Sequence, residues 1–254
     1  MVLPMRCGDG LIEKGARWEE LKNSRTIQME RSRLAYLEKI KDVGQLIAGN
    51  EYSGSLGLDH AVYSYGATGR FHPAALIAAI KFAQSLWDKK RVERFTDVRA
   101  AFEEFLVRHK SFINQLGHSM GSRMRSVDSL LEMYGIILEG ILAGDLTDEE
   151  IIARFQASPH LQTLKEPTDP EPDRLVRKRF SKAVQSAGIV REILSSRAKC
   201  TECGARLPPS SRSKDHKTPI EEGGMGTLDN LQFTHPYCNS GYKEKRRRST
   251  AEGM

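Results

Sequence analysis

Residues 200–243 read CTECGARLPPSSRSKDHKTPIEEGGMGTLDNLQFTHPYCNSGYK, and this stretch decides how the C-terminal part of the chain folds. Cys200 and Cys203 are separated by two residues, as are His235 and Cys238. That gap lets each pair reach one tetrahedral ion, and together they make a Cys3His set, a structural zinc pattern with no coordination position left open. A segment this short buries little apolar surface, and structural zinc adds folding free energy of order 10 kcal/mol.

The stretch between the two pairs reads as a hairpin. Lys214, Asp215 and His216 lie in a polar, β-compatible run that ends at Pro219. Glu221, Glu222, Gly223 and Gly224 supply a turn. Leu228 to Thr234 is the expected returning strand, with Leu231 and Phe233 alternating inward. Pro236 to Arg248 follows as a helix with Asn239 near its start. Adjacent residues on a strand point to opposite faces. At the end of a twisted hairpin, however, Asp215 and His216 can approach one phosphate from two sides. A carboxylate and an amide oxygen are the hard donors that Mg²⁺ prefers. An imidazole titrates near neutral pH and suits proton abstraction from water. One carboxylate, one imidazole and one amide on a strand pair and helix make a compact metal-assisted phosphodiesterase arrangement.

The rest of the 254-residue chain sets this segment in context. Residues 1–172 carry 22 Lys and Arg against 24 Asp and Glu, whereas residues 173–254 carry 17 against 9. A basic module on a nearly neutral body suits a polyanionic partner. No apolar run reaches the ~18 residues that a membrane span requires. Arg6, Asp9 and Glu13 interrupt any apolar start, so the sequence predicts a cytoplasmic protein with its four cysteines as metal ligands or thiols rather than disulfides. Up to about residue 157 the pattern is helical. Helices are expected over Arg17–Ile47, from His72-Pro73 to Trp87, after a Thr96-Asp97 cap, over Val127–Ala143 after a Ser126 cap, and from a Thr147–Glu150 capping box to Phe155. Pro159, Pro167, Pro170 and Pro172 then mark a linker, and Asp173 to Arg197 is a basic helix. The expected fold class is therefore mainly α with a small C-terminal zinc-stapled α+β module of two strands and a helix. Its parts are a helical domain 1–157, a Pro-rich linker 158–173, and a basic helix plus the zinc-stapled module 174–254. No Gly-rich phosphate loop supports a P-loop nucleotidase. His60, His72, His109, His118 and His160 are scattered and read as capping, surface or interior residues. Cys7 reads as an ordinary thiol.

The order Cys-x-x-Cys, Asp-His, Gly-Gly, Asn-Leu-Gln, His-x-x-Cys-Asn, Lys over residues 199–245 resembles the HNH nuclease module, the zinc-stapled branch of the ββα-metal (His-Me finger) endonucleases. The resemblance implies a general-base role for His216 and a catalytic Mg²⁺ or Mn²⁺ held by Asp215 and Asn239. It also implies that Asn230 braces the loop and orients the base, and that Lys243 reaches phosphate. Structural Zn²⁺ would sit on Cys200, Cys203, His235 and Cys238. Two positions depart from the family pattern. The lysine commonly stands three residues after the Asn239 position, where this chain has Tyr242, and His235 stands where many members have cysteine. More faintly, Ala61-Val62-Tyr63 with Gly69-Arg70-Phe71-His72-Pro73 resembles the helical middle region of bacterial restriction proteins that join a nucleotide-dependent sensor to an HNH module. The sensor's Asp-Gly-Gln-Gln-Arg motif is absent.

These resemblances imply a DNA endonuclease, with double-stranded DNA as partner, acting in bacterial defence against foreign or phage DNA. A partner sensor subunit or a homodimer would complete it, and no membrane is involved. Residues 174–182 and 246–248 would clamp flanking phosphates. The competing reading is a non-catalytic zinc module that binds nucleic acid on a helical interaction scaffold. Asp215, His216 and Asn239 separate the two, because binding alone needs no base beside two hard-metal ligands. A ribonuclease or toxin uses similar chemistry, but the module has few aromatics to stack unpaired bases.

Overall fold

The computed structural model describes residues 25–49, 53–119, 123–144, 147–165 and 179–252. The chain divides into two compact units, residues 1–44 and 45–254. Helix α1 (Arg25–Ala48) carries Leu34, Leu37 and Ile40 as exposed side chains. Within the second unit follow α2 (His60–Tyr63), α3 (Pro73–Asp88), α4 (Val92–Arg108), α5 (Ser111–Ser119), α6 (Arg123–Leu142), α7 (Asp148–Phe155) and α8 (Lys182–Ser196). A two-stranded antiparallel sheet, β1 (Ser213–His216) and β2 (Leu231–Thr234), and a last helix, α9 (Lys243–Glu252), complete it. The chain is thus mainly helical with one small α+β module. Among the described residues no helix is long and apolar enough to cross a membrane.

Sequence chemistry sets the helix ends. Pro73 opens α3 because its fixed φ and missing N–H suit a first helical turn. Lys90, at φ 54°, breaks the chain between α3 and α4. At α7 the Thr147 hydroxyl accepts from the Glu150 N–H at 3.3 Å while the Glu150 carboxylate accepts from the Thr147 N–H at 2.8 Å. Two expected caps lie inside helices instead. Thr96 is buried in α4 and donates to the Val92 carbonyl at 2.7 Å. Ser126 is buried in α6 and donates to the Leu116 carbonyl at 3.1 Å. A hydroxyl can satisfy itself on a carbonyl within a helix or across the core, so residue type alone does not mark a helix start. α8 begins at Lys182 with Ser181 as its cap, and the earlier part of the expected basic helix, residues 173–178, lies outside the described residues. Of the proline-rich stretch, residues 158–165 are described, with Leu161 and Leu164 buried in the core.

Helices α3, α4 and α6 enclose an aromatic core. Phe82 stacks on Phe102 at 5.4 Å, and Phe95 and Tyr134 meet Phe82 edge-on. Each such ring contributes roughly 1.5–3 kcal/mol by leaving water. Helix α4 also has a polar face. Arg99 and Glu103, one turn apart and almost fully buried, pair at 2.8 Å. Unpaired, either charge would be prohibitive there. Arg99 donates to the carbonyls of Leu56 and Gly57, and Glu103 accepts from the Tyr63 hydroxyl and from the Arg206 backbone N–H at 3.0 Å. The body is thereby joined to the C-terminal module at its centre. Further joints are Tyr237 N–H to the Ser55 carbonyl (3.0 Å), Ser211 hydroxyl to the Ala48 carbonyl (2.7 Å), and Arg197 to Asp59 (2.7 Å). Trp87 meets Tyr237 edge-on at 5.4 Å.

Candidate active site

The zinc-type centre is built first, because the rest of the module hangs on it. Cys200, Cys203, His235 and Cys238 place their ligand atoms within 4.8 Å of one another. His235 Nδ1 lies 3.4 Å from Cys203 Sγ and 3.8 Å from Cys238 Sγ. Tetrahedral Zn–S and Zn–N bonds call for a separation of about 3.6 Å. The opposite ring nitrogen, Nε2, lies 3.0 Å from the Arg206 carbonyl. That contact places the proton on Nε2 and leaves the Nδ1 lone pair for a metal. Burial, reinforced by the Arg99 guanidinium, holds the His235 imidazole below its ordinary pKa and so neutral. Cys200, hydrogen-bonded by Cys203 and then Cys238, is pushed strongly toward the thiolate. Cys203 and Cys238 are pushed the other way, toward the thiol, by the Cys200 sulfur beside them. Zinc binds a neutral imidazole and displaces thiol protons as it binds, so this donor set fits it. The histidine at the position where family members carry cysteine is thus part of the cluster.

The hairpin pairs Ser213 with Thr234, Lys214 with Phe233, Asp215 with Gln232, and His216 with Leu231. Asp215, Gln232 and Thr234 therefore share the inner face. Leu231 and Phe233, both expected to point inward, lie on the outer face with Lys214 and His216, and Phe233 is 40% exposed; His216 thus leaves the strand end on the face opposite Asp215. The inner face is polar because it lines the site, so apolar alternation marks the outer one. The strand is also shorter than expected: residues 227–230 form a turn, closed by Asn230 N–H to Thr227 O (3.2 Å), and β2 begins at Leu231.

Asp215 is buried and heavily bonded. Its Oδ2 accepts from Gln232 Nε2 and from Lys243 Nζ, both at 2.7 Å, and its Oδ1 accepts from the His216 N–H at 2.8 Å. A carboxylate has about four acceptor positions, so one remains, on Oδ1. Asn239 gives its amide hydrogens to Ser213 Oγ (2.8 Å) and the Lys214 carbonyl (3.1 Å), which leaves its carbonyl oxygen as the atom offered to an ion. Asp215, His216, Asn239 and Lys243 line one open cavity of about 190 Å³, together with Ile220, Arg247 and the carboxylates of Glu221 and Glu244. Two hard oxygen donors on one cavity fit a divalent ion such as Mg²⁺.

The lysine displaced by one residue has a backbone explanation. Cys238–Tyr242 is a π-turn, in which the Lys243 N–H reaches back to the Cys238 carbonyl. Five residues of π-helix rotate about as far as four of α-helix, so the turn absorbs one extra residue. Lys243 consequently faces β1, where Nζ also donates to the His216 carbonyl at 2.8 Å. Tyr242 turns toward the body and donates to Asp97 at 2.7 Å.

Asn230 does not face the cavity that Asp215 and Asn239 line. It closes the loop: its Oδ1 accepts from the Thr218 N–H at 2.7 Å, and its Nδ2 donates to the carbonyls of Thr218 (3.0 Å) and Met225 (2.9 Å). Gly223 adopts φ 85°, and a Cβ on Gly224 would fall 1.8 Å from the Thr218 carbonyl oxygen, so both glycines are required by this fold of the loop. Of the C-terminal basic run, Arg246 lies over the Tyr242 ring and Arg247 pairs with Glu222 at 3.5 Å. Residues 174–178 are outside the described set.

Sequence reasoning missed Gln232 as the second partner of Asp215. Its signal was available, since a glutamine in register with the carboxylate shares its face. It also missed three residues far off in sequence: Gly57 lies against the His235 ring, the Arg99 charge is felt at His235, and Glu103 holds the Arg206 N–H. Comparison with curated proteins and with solved structures gave no match. Comparison with family models gave one: residues 200–245 match HNH endonuclease, a stretch that contains both the Cys3His cluster and the cavity of Asp215, His216 and Asn239.

Proposed function

We propose that the protein is a metal-dependent DNA endonuclease. The observation that carries this reading is the single cavity shared by His216, Asp215 and Asn239, with Lys243 and Gln232 fixing the carboxylate. His216 takes the proton from the water that attacks phosphorus, and its backbone is held on both sides, by Asp215 at the N–H and Lys243 at the carbonyl. Asp215 and Asn239 would hold Mg²⁺ or Mn²⁺, which when bound offsets charge developing on the phosphate and the leaving oxygen. Asn230 keeps the loop beside His216 closed, and Lys243 holds the Asp215 carboxylate and the His216 carbonyl in place. Zn²⁺ on Cys200, Cys203, His235 and Cys238 is structural, because all four of its positions belong to the protein. Duplex DNA fits the excess of basic residues after residue 172. A cytoplasmic location suits thiols that must stay reduced. A role in bacterial defence, with a sensor subunit or a second copy of this chain, rests on the resemblance of residues 50–145.

The test is cleavage of supercoiled plasmid with Mg²⁺ or Mn²⁺ by wild type and His216→Ala. Wild type should nick or linearise the plasmid, and the variant should lose this while still binding DNA. Equal cutting by the variant removes His216 from its role. Binding without cutting by wild type, with either ion, favours a module that only binds nucleic acid.

A further inference from the structure

Glu202 stands between two members of the Cys3His cluster, Cys200 and Cys203, and its half-buried side chain reaches toward the other site. The turn that carries it is closed by the Gly204 N–H on the Cys200 carbonyl (2.9 Å) and the Cys200 N–H on the Ala205 carbonyl (2.8 Å). This turn lies along β2. The Thr201 N–H and hydroxyl both donate to the Phe233 carbonyl at 3.4 Å. The Glu202 carboxylate accepts from Gln232 Nε2, also at 3.4 Å, and the same Nε2 donates to Asp215 Oδ2 at 2.7 Å. One amide group therefore spans a residue of the cysteine turn and the carboxylate offered to a divalent ion.

The chemistry of an amide fixes what this bridge does. Its NH2 group has two hydrogens, one for each carboxylate. Turned over, the amide would set its oxygen against two anions, so Glu202 and Asp215 together decide which way Gln232 faces. Asp215 Oδ2 is thereby filled by Gln232 and Lys243, and the acceptor position left open is on Oδ1. Glu202 can hold the amide only while its own backbone is held. Cys200 and Cys203 flank it on both sides, and an ion that ties their two sulfurs together fixes the turn between them.

We propose that Glu202 is a positioning residue which, through Gln232, couples zinc occupancy of the Cys3His centre to divalent-ion affinity at Asp215 and Asn239. With zinc bound, the turn is fixed, Glu202 orients the Gln232 amide, and the amide keeps Asp215 placed with Oδ1 open to the second ion. Such coupling is reciprocal, so Mg²⁺ at Asp215 tightens zinc by the same factor. The Glu202–Gln232 bond is long, which puts that factor at the low end of the usual range, about fivefold. The presence of Mg²⁺ at Asp215 rests on the nuclease reading, whereas the path from Cys200 and Cys203 to Asp215 is made of the chain's own contacts.

The experiment uses the full-length chain and measures zinc affinity by equilibrium competition with a chelator, with and without saturating Mg²⁺. Oxygen donors take Mg²⁺ and thiolates do not, so Mg²⁺ leaves the Cys3His centre to zinc. Wild type should bind zinc about fivefold more tightly when Mg²⁺ is present. Glu202→Ala should abolish that response and weaken Mg²⁺ binding to the zinc-loaded chain by about fivefold in isothermal titration. Glu202→Gln keeps an acceptor for the Gln232 amide and should retain both. In a Gln232→Leu background Glu202→Ala should change nothing further, because the bridge is already gone. An unchanged melting temperature of the zinc-loaded variants checks the fold. A general gain of stability on ion binding would couple the two ions in every variant alike, so an equal response in wild type and Glu202→Ala overturns the proposal. So does a wild type that binds Mg²⁺ without any change in zinc affinity. Absence of Mg²⁺ binding by the zinc-loaded wild type overturns both the coupling and the ion site of the nuclease reading. Coupling without hydrolysis of bis(p-nitrophenyl) phosphate in Mn²⁺ removes the nuclease reading and leaves the role of Glu202 standing.

Discussion

Gly57→Ala tests whether the helical body completes the zinc-type centre. Gly57 has φ 58°, and a Cβ there would lie 2.7 Å from Ser211 Cβ and 2.8 Å from His235 Cδ2. Neither neighbour can yield easily. Ser211 is anchored by its hydroxyl on the Ala48 carbonyl, and His235 is held between the cysteines and the Arg206 carbonyl. The Gly57 carbonyl accepts from Arg99, so the backbone is also pinned. The left-handed conformation costs an alanine about 1–2 kcal/mol, and overpacking adds about 1–3 kcal/mol. The control is Gly144→Ala, at φ 84° with nothing within 4 Å of the added carbon, where only the backbone cost of about 1–2 kcal/mol applies. Urea unfolding of zinc-loaded protein should show Gly57→Ala losing about 1–3 kcal/mol more than the control. The easiest relief of the clash moves the His235 ring, so Gly57→Ala should also release zinc to a chromogenic chelator faster than either wild type or the control. Equal destabilisation by the two substitutions, with equal zinc release, would refute the contact between residue 57 and the metal ligand.

Two further outcomes follow from single contacts. Gln232→Leu removes a 2.7 Å donor from Asp215 and should weaken Mn²⁺ binding by about 10–100-fold, as loss of a ligand's supporting partner does; isothermal titration of the zinc-loaded protein reads it, and unchanged affinity would show that Lys243 and the His216 N–H position the carboxylate without it. Lys110 donates to the Val62 and Tyr65 carbonyls, and burial lowers its pKa to about 7. Between that value and the unfolded ~10.4 the unfolded chain holds a proton that the folded chain lacks, so stability should rise with pH across this window and fall on acidification toward 7. Lys110→Met should flatten that slope in urea titrations taken at several pH values, and an identical slope in the variant would exclude Lys110 as its source.

The sequence makes the module's groupings of residues legible because short spacings carry them. Cys200 with Cys203, and His235 with Cys238, needed only a two-residue gap to be read as one cluster, and Asp215-His216 needed only a strand. What it concealed had two physical causes. One is that helix geometry is not fixed by pattern: Lys243 seemed one residue out of place, and the π-turn that corrects its azimuth leaves no mark in apolar periodicity. The other is that a small module's inner face is functional. Alternation places Phe233 inside on hydrophobic grounds, yet the inner positions belong to Asp215 and Gln232, so the periodic signal points the wrong way. The caps at Thr96 and Ser126 failed for a related reason, since their hydroxyls are satisfied on carbonyls inside the core.

The chain of contacts from helix α4 to His235 gives the body a specific part in holding the zinc-type centre. Arg99 neutralises Glu103, Glu103 holds the Arg206 N–H, and the Arg206 carbonyl fixes the tautomer of His235. His235 and Cys238 end β2 and begin the turn that carries Asn239 and Lys243. A shift of α4 would therefore be felt first at the zinc-type centre and next at Asp215, through the π-turn that carries Lys243. The same coupling predicts that substitutions on α4 change zinc affinity at the module before they change the cavity that Asp215 and Asn239 line.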